Sequence, residues 1–128
     1  YGGLCLGPVN TAAGHALAYP LGTRGGLGHG ISVALLFPQV LAFNASVRPD
    51  KTAEVMAALG LPEGADVAGA TTGFCRDLGL DMSLAAHGVS GDVLSDWAAE
   101  AHSIRRLMDN NPRDMSTADI EAIYRKAL

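Results

Sequence analysis

From His29 to Asn44 the chain reads HGISVALLFPQVLAFN, without one charged side chain. Ile31, Val33, Leu35, Leu36, Phe37, Val40, Leu41 and Phe43 fall on every face of a helix. A helix lacking a polar face is normally buried at the centre of its domain, so this segment predicts a layer of other helices around it. Its length and alanine content favour helix over strand. Pro38 deletes one backbone hydrogen bond and predicts a kink. With Pro38 and Gln39 interrupting it, the run falls short of the ~20 apolar residues that cross a bilayer.

The partners for this helix are legible on both sides. Pro8 to Tyr19 is small and apolar, suits a helix begun at a proline, and meets Pro20-Leu21-Gly22 as a stop. Leu21 to Gly28, with four glycines, predicts a loop. Pro49 opens a third helix to about Leu59, with Val55, Met56 and Leu59 inward and Gly60 as the stop. Asp66 to Leu78 makes a fourth, closed by Gly79. Ser90 reads as the cap of a short helix leading into a longer one, Asp92 to about Met108, which carries Leu94, Trp97, Ile104 and Leu107. Asn110-Asn111-Pro112 ends it. Ser116-Thr117-Ala118-Asp119 is a capping-box signature, and Ile120, Ile123, Tyr124 and Ala127 give the last helix one apolar stripe. The expectation is a single all-α helical domain over residues 1–128, with no repeats, low-complexity segments or internal linkers.

Composition narrows the function classes. The net charge of −4 comes without any block of Lys or Arg, which argues against nucleic-acid or acidic-membrane binding. Cys5 and Cys75 form neither a CxxC nor a disulfide framework, which suits a reducing cytoplasm, and both read as core or small-pocket residues. No signal-peptide pattern opens the sequence. The chain begins at Tyr1 and goes straight into compact apolar sequence, as a piece of a longer protein would.

Few residues suggest chemistry. Gly25 to Ser32, GGLGHGIS, mimics a phosphate-binding loop, but Ile31 stands where the phosphate-reaching lysine belongs, so that reading is rejected. His15 and Tyr19, four apart, share one helix face, and the glycine loop is able to fold His29 back toward His15. Imidazole is the commonest transition-metal ligand, yet a metal site draws three or four ligands, and Tyr1 to Val47 contains no Asp or Glu. Spacing alone therefore favours helix-end histidines making hydrogen bonds. His87, His102 and the Arg105, Arg106, Asp109 cluster read as solvated or capping groups, and Ser32 lacks the partners of a nucleophile.

Three ordered segments change that balance: LGPVNTAAGHALAYPLG, GHGISVALLFPQVLAFN and LMDNNPRDMSTADIEAIYRKA. Together they resemble the iron-containing (group III) alcohol dehydrogenases and their relatives the maleylacetate reductases, which share the dehydroquinate-synthase-like fold. The family pattern is HALAYPLG or HxLAHPLG, then PHG opening an apolar helix that ends in Pro-His-Val and Phe-Asn, then NNPR before a capped terminal helix. The interval between the two family histidines matches His15 to His29. The resemblance implies the C-terminal helical part of a two-domain enzyme about three times as long. Its partner would be an N-terminal nucleotide-binding part that holds NAD(P) through a glycine-rich turn.

By the same resemblance the metal, Fe2+ or Zn2+, is held by an aspartate, a histidine one helical turn later, and the two histidines matching His15 and His29. The reaction implied is reversible hydride transfer between a small alcohol and NAD(P), the metal acting as a Lewis acid on the substrate oxygen. Tyr19 stands where many members carry a further histidine near nicotinamide and substrate, which gives it a catalytic and cofactor-contacting role as a hydrogen-bond donor or relay. Departures from the pattern are the loop Thr23 to Gly28, whose glycines imply looser ligand placement, and Gln39 in place of the Pro-His-Val histidine. Leu6 and Leu107 fall near positions that line the substrate pocket in relatives, implying an apolar pocket. Alone, the chain is expected to be inactive, to bind metal weakly and to self-associate as a homo-oligomer through exposed apolar surface. The alternative is a non-catalytic helical module that does no more than self-associate.

Overall fold

The computed structural model describes residues 10–128, and every regular element among them is helical. Helix α1 spans Ala13–Thr23, α2 His29–Ala45, α3 Pro49–Ala58 and α4 Val67–Asp77. Two single-turn 3-10 segments, Ala85–His87 and Gly91–Val93, lead into α5 (Leu94–Ser103), the short α6 (Arg105–Met108) and α7 (Thr117–Ala127). No described helix is long and apolar enough to cross a membrane.

Helix α2 packs against α1, α3, α4 and α7, while α1 also meets α5 and α6, and α5 meets α7. The core where they converge includes Leu17, Leu21, Leu36, Leu94, Trp97 and Tyr124. The expectation that α2 is buried on all sides is corrected. Only Ser32, Leu35, Leu36 and Pro38 are buried, whereas Ile31, Val33, Phe37, Val40, Leu41 and Phe43 are half-buried. Four neighbouring helices pack against α2, and the apolar side chains outside the buried set are half-buried rather than enclosed.

Pro20 does not stop the first helix, which runs three residues further, to Thr23. A proline inside a helix removes its own N–H but leaves its carbonyl in use, and the Pro20 carbonyl accepts from Arg24 N at 2.9 Å and Gly25 N at 3.1 Å. Pro20 is itself buried beside Leu17 and Leu21, so apolar burial offsets the lost bond. The loop shrinks to residues 24–28. The helix also begins later than the expected Pro8: residues 10–12 are not helical and Ala12, in an extended conformation, precedes its first turn, while Pro8, Cys5 and Leu6 themselves lie outside the described residues.

Boundaries elsewhere follow the local signals. Asp66 caps α4 by accepting from Gly69 N at 2.7 Å, and Gly60 and Gly79, both at positive φ, close the turns after α3 and α4. Ser116 and Asp119 form the reciprocal capping box of α7, whose Ile120, Ile123, Tyr124 and Ala127 are all buried.

The expected helix from Asp92 to Met108 is broken at Ile104 (φ −80°, ψ 62°), and the Ser90 hydroxyl bonds the Asp92 carboxylate rather than capping a backbone N–H. The break has a packing reason. Leu94, Trp97, Ala98 and Ala101 are buried, and an unbroken helix would turn Arg105 onto that same face, four residues beyond Ala101. Re-phasing at Ile104 buries Leu107 and Met108 instead and turns Arg105 out to Asp109.

The NNPR motif closes this end of the molecule. Asn44 and Asn111 exchange side-chain amide bonds (3.0 and 2.8 Å), and the Arg113 guanidinium sits 4.0 Å over the Phe43 ring while donating to the Phe43 carbonyl. The paired Phe-Asn and NNPR segments thus clamp the end of α2 to the chain entering α7.

Candidate metal centre

His15 lies on α1 and His29 is the first residue of α2, so the five-residue loop between the helices decides whether they meet. They do: their ring centroids are 5.2 Å apart, with planes inclined by 48°. The loop is anchored at several points. Leu27 N donates to the Leu21 carbonyl at 3.1 Å, and Arg24 pairs with Glu100 on α5 at 2.5 Å. Gly25 lies so close to the Leu21 carbonyl and the Trp97 ring that a methyl group there would meet them at 2.7 and 3.2 Å. The loop Thr23 to Gly28, whose glycines imply looser ligand placement, is thus tied to the core at these points. One of those glycines is what lets the loop close onto the core. At the start of α2, the buried Ser32 hydroxyl returns a bond to the Gly28 carbonyl at 3.1 Å.

The electrostatics favour neutral imidazole. Burial, and secondarily the facing His29, hold His15 below the ordinary histidine pKa, which leaves its nitrogen lone pair available at neutral pH. Metal–nitrogen bonds of about 2.0–2.1 Å place a ring centroid about 3.2 Å from the ion, so two imidazoles at a tetrahedral angle stand about 5 Å apart. The observed 5.2 Å fits two ligands of one ion. Among the described residues no group of three or more His, Cys, Asp or Glu side chains gathers, so this chain presents a pair and not a complete ligand set.

The pair opens into a cleft of about 520 Å³, lined also by Tyr19, Thr23, Leu27, Arg106 and Leu107. Tyr19 follows His15 by one turn of α1 and is 41% exposed. Its hydroxyl accepts a bond from Arg106 Nη2 at 3.2 Å. Arg106 is the residue that sequence reasoning missed. The Arg105, Arg106, Asp109 cluster is exposed, as expected of a solvated face, but it divides: Arg105 pairs with Asp109 and Asp114, while Arg106 borders the cleft. The only local signal was the helix-phase conflict at Arg105 described above. Leu107 lines the cleft as expected, but its neighbours make the lining mixed rather than apolar.

The remaining candidates stay apart from this site. His87 Nε2 lies 2.9 Å from the Asp81 carbonyl, and His102 faces Arg105 at 3.3 Å. Cys75 is buried in the core, where desolvation pushes its thiol pKa up and leaves it unreactive.

Comparisons with known proteins identify the family. Residues 1–128 match the model of the Fe-containing alcohol dehydrogenase family, C-terminal. The 4-hydroxybutyrate dehydrogenase of Cupriavidus necator is 37% identical over 123 residues, covering 89% of this chain and 31% of that protein. Maleylacetate reductase 2 of Cupriavidus pinatubonensis is 35% identical over 127 residues, covering 98% and 34%. The solved structure of an alcohol dehydrogenase from Oenococcus oeni superposes with a TM-score of 0.86 at 26% identity, covering 98% of this chain and 35% of that one. The chain thus spans about a third of the length of the relatives it matches. An all-helical chain with two facing histidines, matched from end to end by that family model, belongs to the Fe-containing alcohol dehydrogenase family and corresponds to its C-terminal part.

Proposed function

We propose that these residues supply the second half of the metal site of an iron-dependent, NAD(P)-linked alcohol dehydrogenase, with His15 and His29 as two of its ligands. The observation that carries this reading is the pair of imidazoles 5.2 Å apart at the mouth of one cleft. Family membership supports iron and NAD(P) as the groups used by the full-length enzyme. The bound ion would serve as a Lewis acid toward the oxygen of a small alcohol, aldehyde or ketone.

The chain's own residues prepare that chemistry. Burial keeps His15 neutral, so no proton has to leave it before it can ligate. Because the Tyr19 oxygen accepts from Arg106, the phenolic hydrogen remains to be donated into the cleft. That donation orients an oxygen-bearing substrate beside the histidines and gives Tyr19 its place in the reaction. Two ligands do not fix a coordination geometry, so the chain on its own is inactive and binds metal weakly.

The test is made on the enzyme assembled with its nucleotide-binding portion. His15→Ala and His29→Ala each lower iron content and abolish NAD(P)-linked alcohol oxidation, whereas His87→Ala alters neither. Full iron occupancy in both cleft variants would refute the assignment. The half-buried apolar side chains of α2, with exposed Val47 just beyond it, favour a second role, self-association of the chain when alone.

A further inference from the structure

We infer that Arg24 and Glu100 form a positioning pair for the metal: by holding the loop between α1 and α2 they set His29 against His15, although neither is a ligand. This rests on the reading of His15 and His29 as ligands and adds what places them. His15 sits within α1 and His29 opens α2, so the two rings keep their 5.2 Å spacing only while residues 24–28 hold one conformation. That stretch reads RGGLG. Three of its five residues are glycines, whose backbones have the widest choice of conformations. Only Arg24 and Leu27 carry side chains able to fix it.

Leu27 is half-buried against the core, a contact that is apolar and therefore non-directional. Arg24 supplies the direction, its Nε donating to Glu100 Oε2 at 2.5 Å. Glu100 is the less exposed partner, with 31% of its side chain open against 62% for Arg24. The acid fixed on a helix thus holds the cation of the loop. Trp97 lies three residues before Glu100 on the same face of α5, and its ring is what a methyl at Gly25 would meet at 3.2 Å. One face of α5 therefore fills the space beside Gly25 and clasps the residue before it. Because the loop is ordered in advance, metal binding does not bear the cost of ordering it.

The test is made on the assembled enzyme, by competition for Fe2+ against a ferrous chelator, which reads the dissociation constant without turnover. Losing an exposed ion pair shifts an equilibrium by about 2- to 5-fold, and Arg24→Gln weakens Fe2+ binding by that factor. Arg24→Glu and Glu100→Arg replace attraction by repulsion and weaken it by about 5- to 20-fold. The double variant Arg24→Glu/Glu100→Arg returns the constant to within about 2-fold of wild type. Lys51→Gln, which breaks a similarly exposed pair with Glu54 on α3, leaves it unchanged.

A pair that only stabilised the fold would lower the Tm of the metal-free protein and leave the Fe2+ constant at its wild-type value; that result overturns the inference. A double variant as weak as the single ones would show the two residues acting separately, and overturns it too. His15→Ala separates this inference from the reading beneath it. If His15→Ala loses iron while the Arg24 and Glu100 variants match wild type, the pair has no positioning role and the ligand assignment stands. If His15→Ala binds iron as wild type does, the ligand assignment fails and the inference with it.

Discussion

Replacing Gly25 by alanine separates a pinned loop from a merely flexible one. The added methyl would lie 2.7 Å from the Leu21 carbonyl, 3.1 Å from Leu27 Cδ1 and 3.2 Å from Trp97 Cη2. The first neighbour is backbone and the last belongs to a buried ring, so neither yields by a simple rotamer change. Overpacking of this kind costs about 1–3 kcal/mol. For a chain of 128 residues, an unfolding entropy of about 2.1 cal/mol/K per residue converts each kilocalorie to about 4 °C, so Tm falls by about 4–11 °C. Gly22→Ala is the matched control, because its methyl finds only the Leu27 carbonyl, at an ordinary 3.6 Å. Gly22 lies inside α1, where alanine is favoured over glycine by about 0.5–1 kcal/mol, so Tm rises by about 2–4 °C. Thermal unfolding followed by circular dichroism gives both values. A Gly25→Ala protein as stable as wild type, or equal losses in the two variants, would refute the picture of a loop held against Trp97.

Other perturbations address the supports of the same site. Tyr124 donates to the carbonyl of Leu17, between His15 and Tyr19, at 2.7 Å, and burial pushes the phenol's pKa up; Tyr124→Phe lowers stability by about 1–2 kcal/mol in urea titration. Ser116→Ala removes the capping box of α7, at a loss of about 0.5–2 kcal/mol by the same assay. The bond from Arg48 holds Asp50 at about 2, below its unfolded value of 3.8; its contribution is complete above pH 3.8 and is lost as pH falls toward 2. Arg48→Gln returns the Asp50 titration upward, as carboxyl NMR shifts record. The half-buried apolar side chains of α2 predict concentration-dependent association of the chain in sedimentation velocity, reduced by Phe37→Gln; a strictly monomeric chain would contradict it.

What the sequence discloses about this site follows from the range over which each signal acts. The His15–Tyr19 pairing is a matter of helical period, and periodic signals are local, so it is legible from four residues. The capping box at Ser116 and the stripe behind it are equally local, and both stand as read. Pro20 does not break its helix because that tendency is local, while the burial that overrides it comes from the helices packed on α1, chiefly α2 and α5. The glycines of the loop show the same limit: read alone they signal freedom, whereas at Gly25 the Leu21 carbonyl and the Trp97 ring occupy the space a side chain would need.

Arg106 is the far end of this series. Its place in the cleft depends on a helix break at Ile104, and that break depends on which of Arg105 and Leu107 the core of α1, α5 and α7 accepts. The polar lining of the cleft therefore follows from an apolar packing decision a full turn away. Two consequences follow from that dependence. Substitutions that make residues 103–105 more helical act on Arg106 as strongly as a change at Arg106 itself, though none of them touches the cleft. Arg105→Leu is the sharpest case. It removes the charge that opposes an unbroken helix, allows residue 105 to enter the core beside Ala101, and turns the guanidinium of Arg106 away from Tyr19. Loss of the Arg106–Tyr19 bond in that variant, with thermal stability retained, would identify the packing of α5 and α6 as what places the cation; a bond that persists would show that Arg106 is held by the cleft alone.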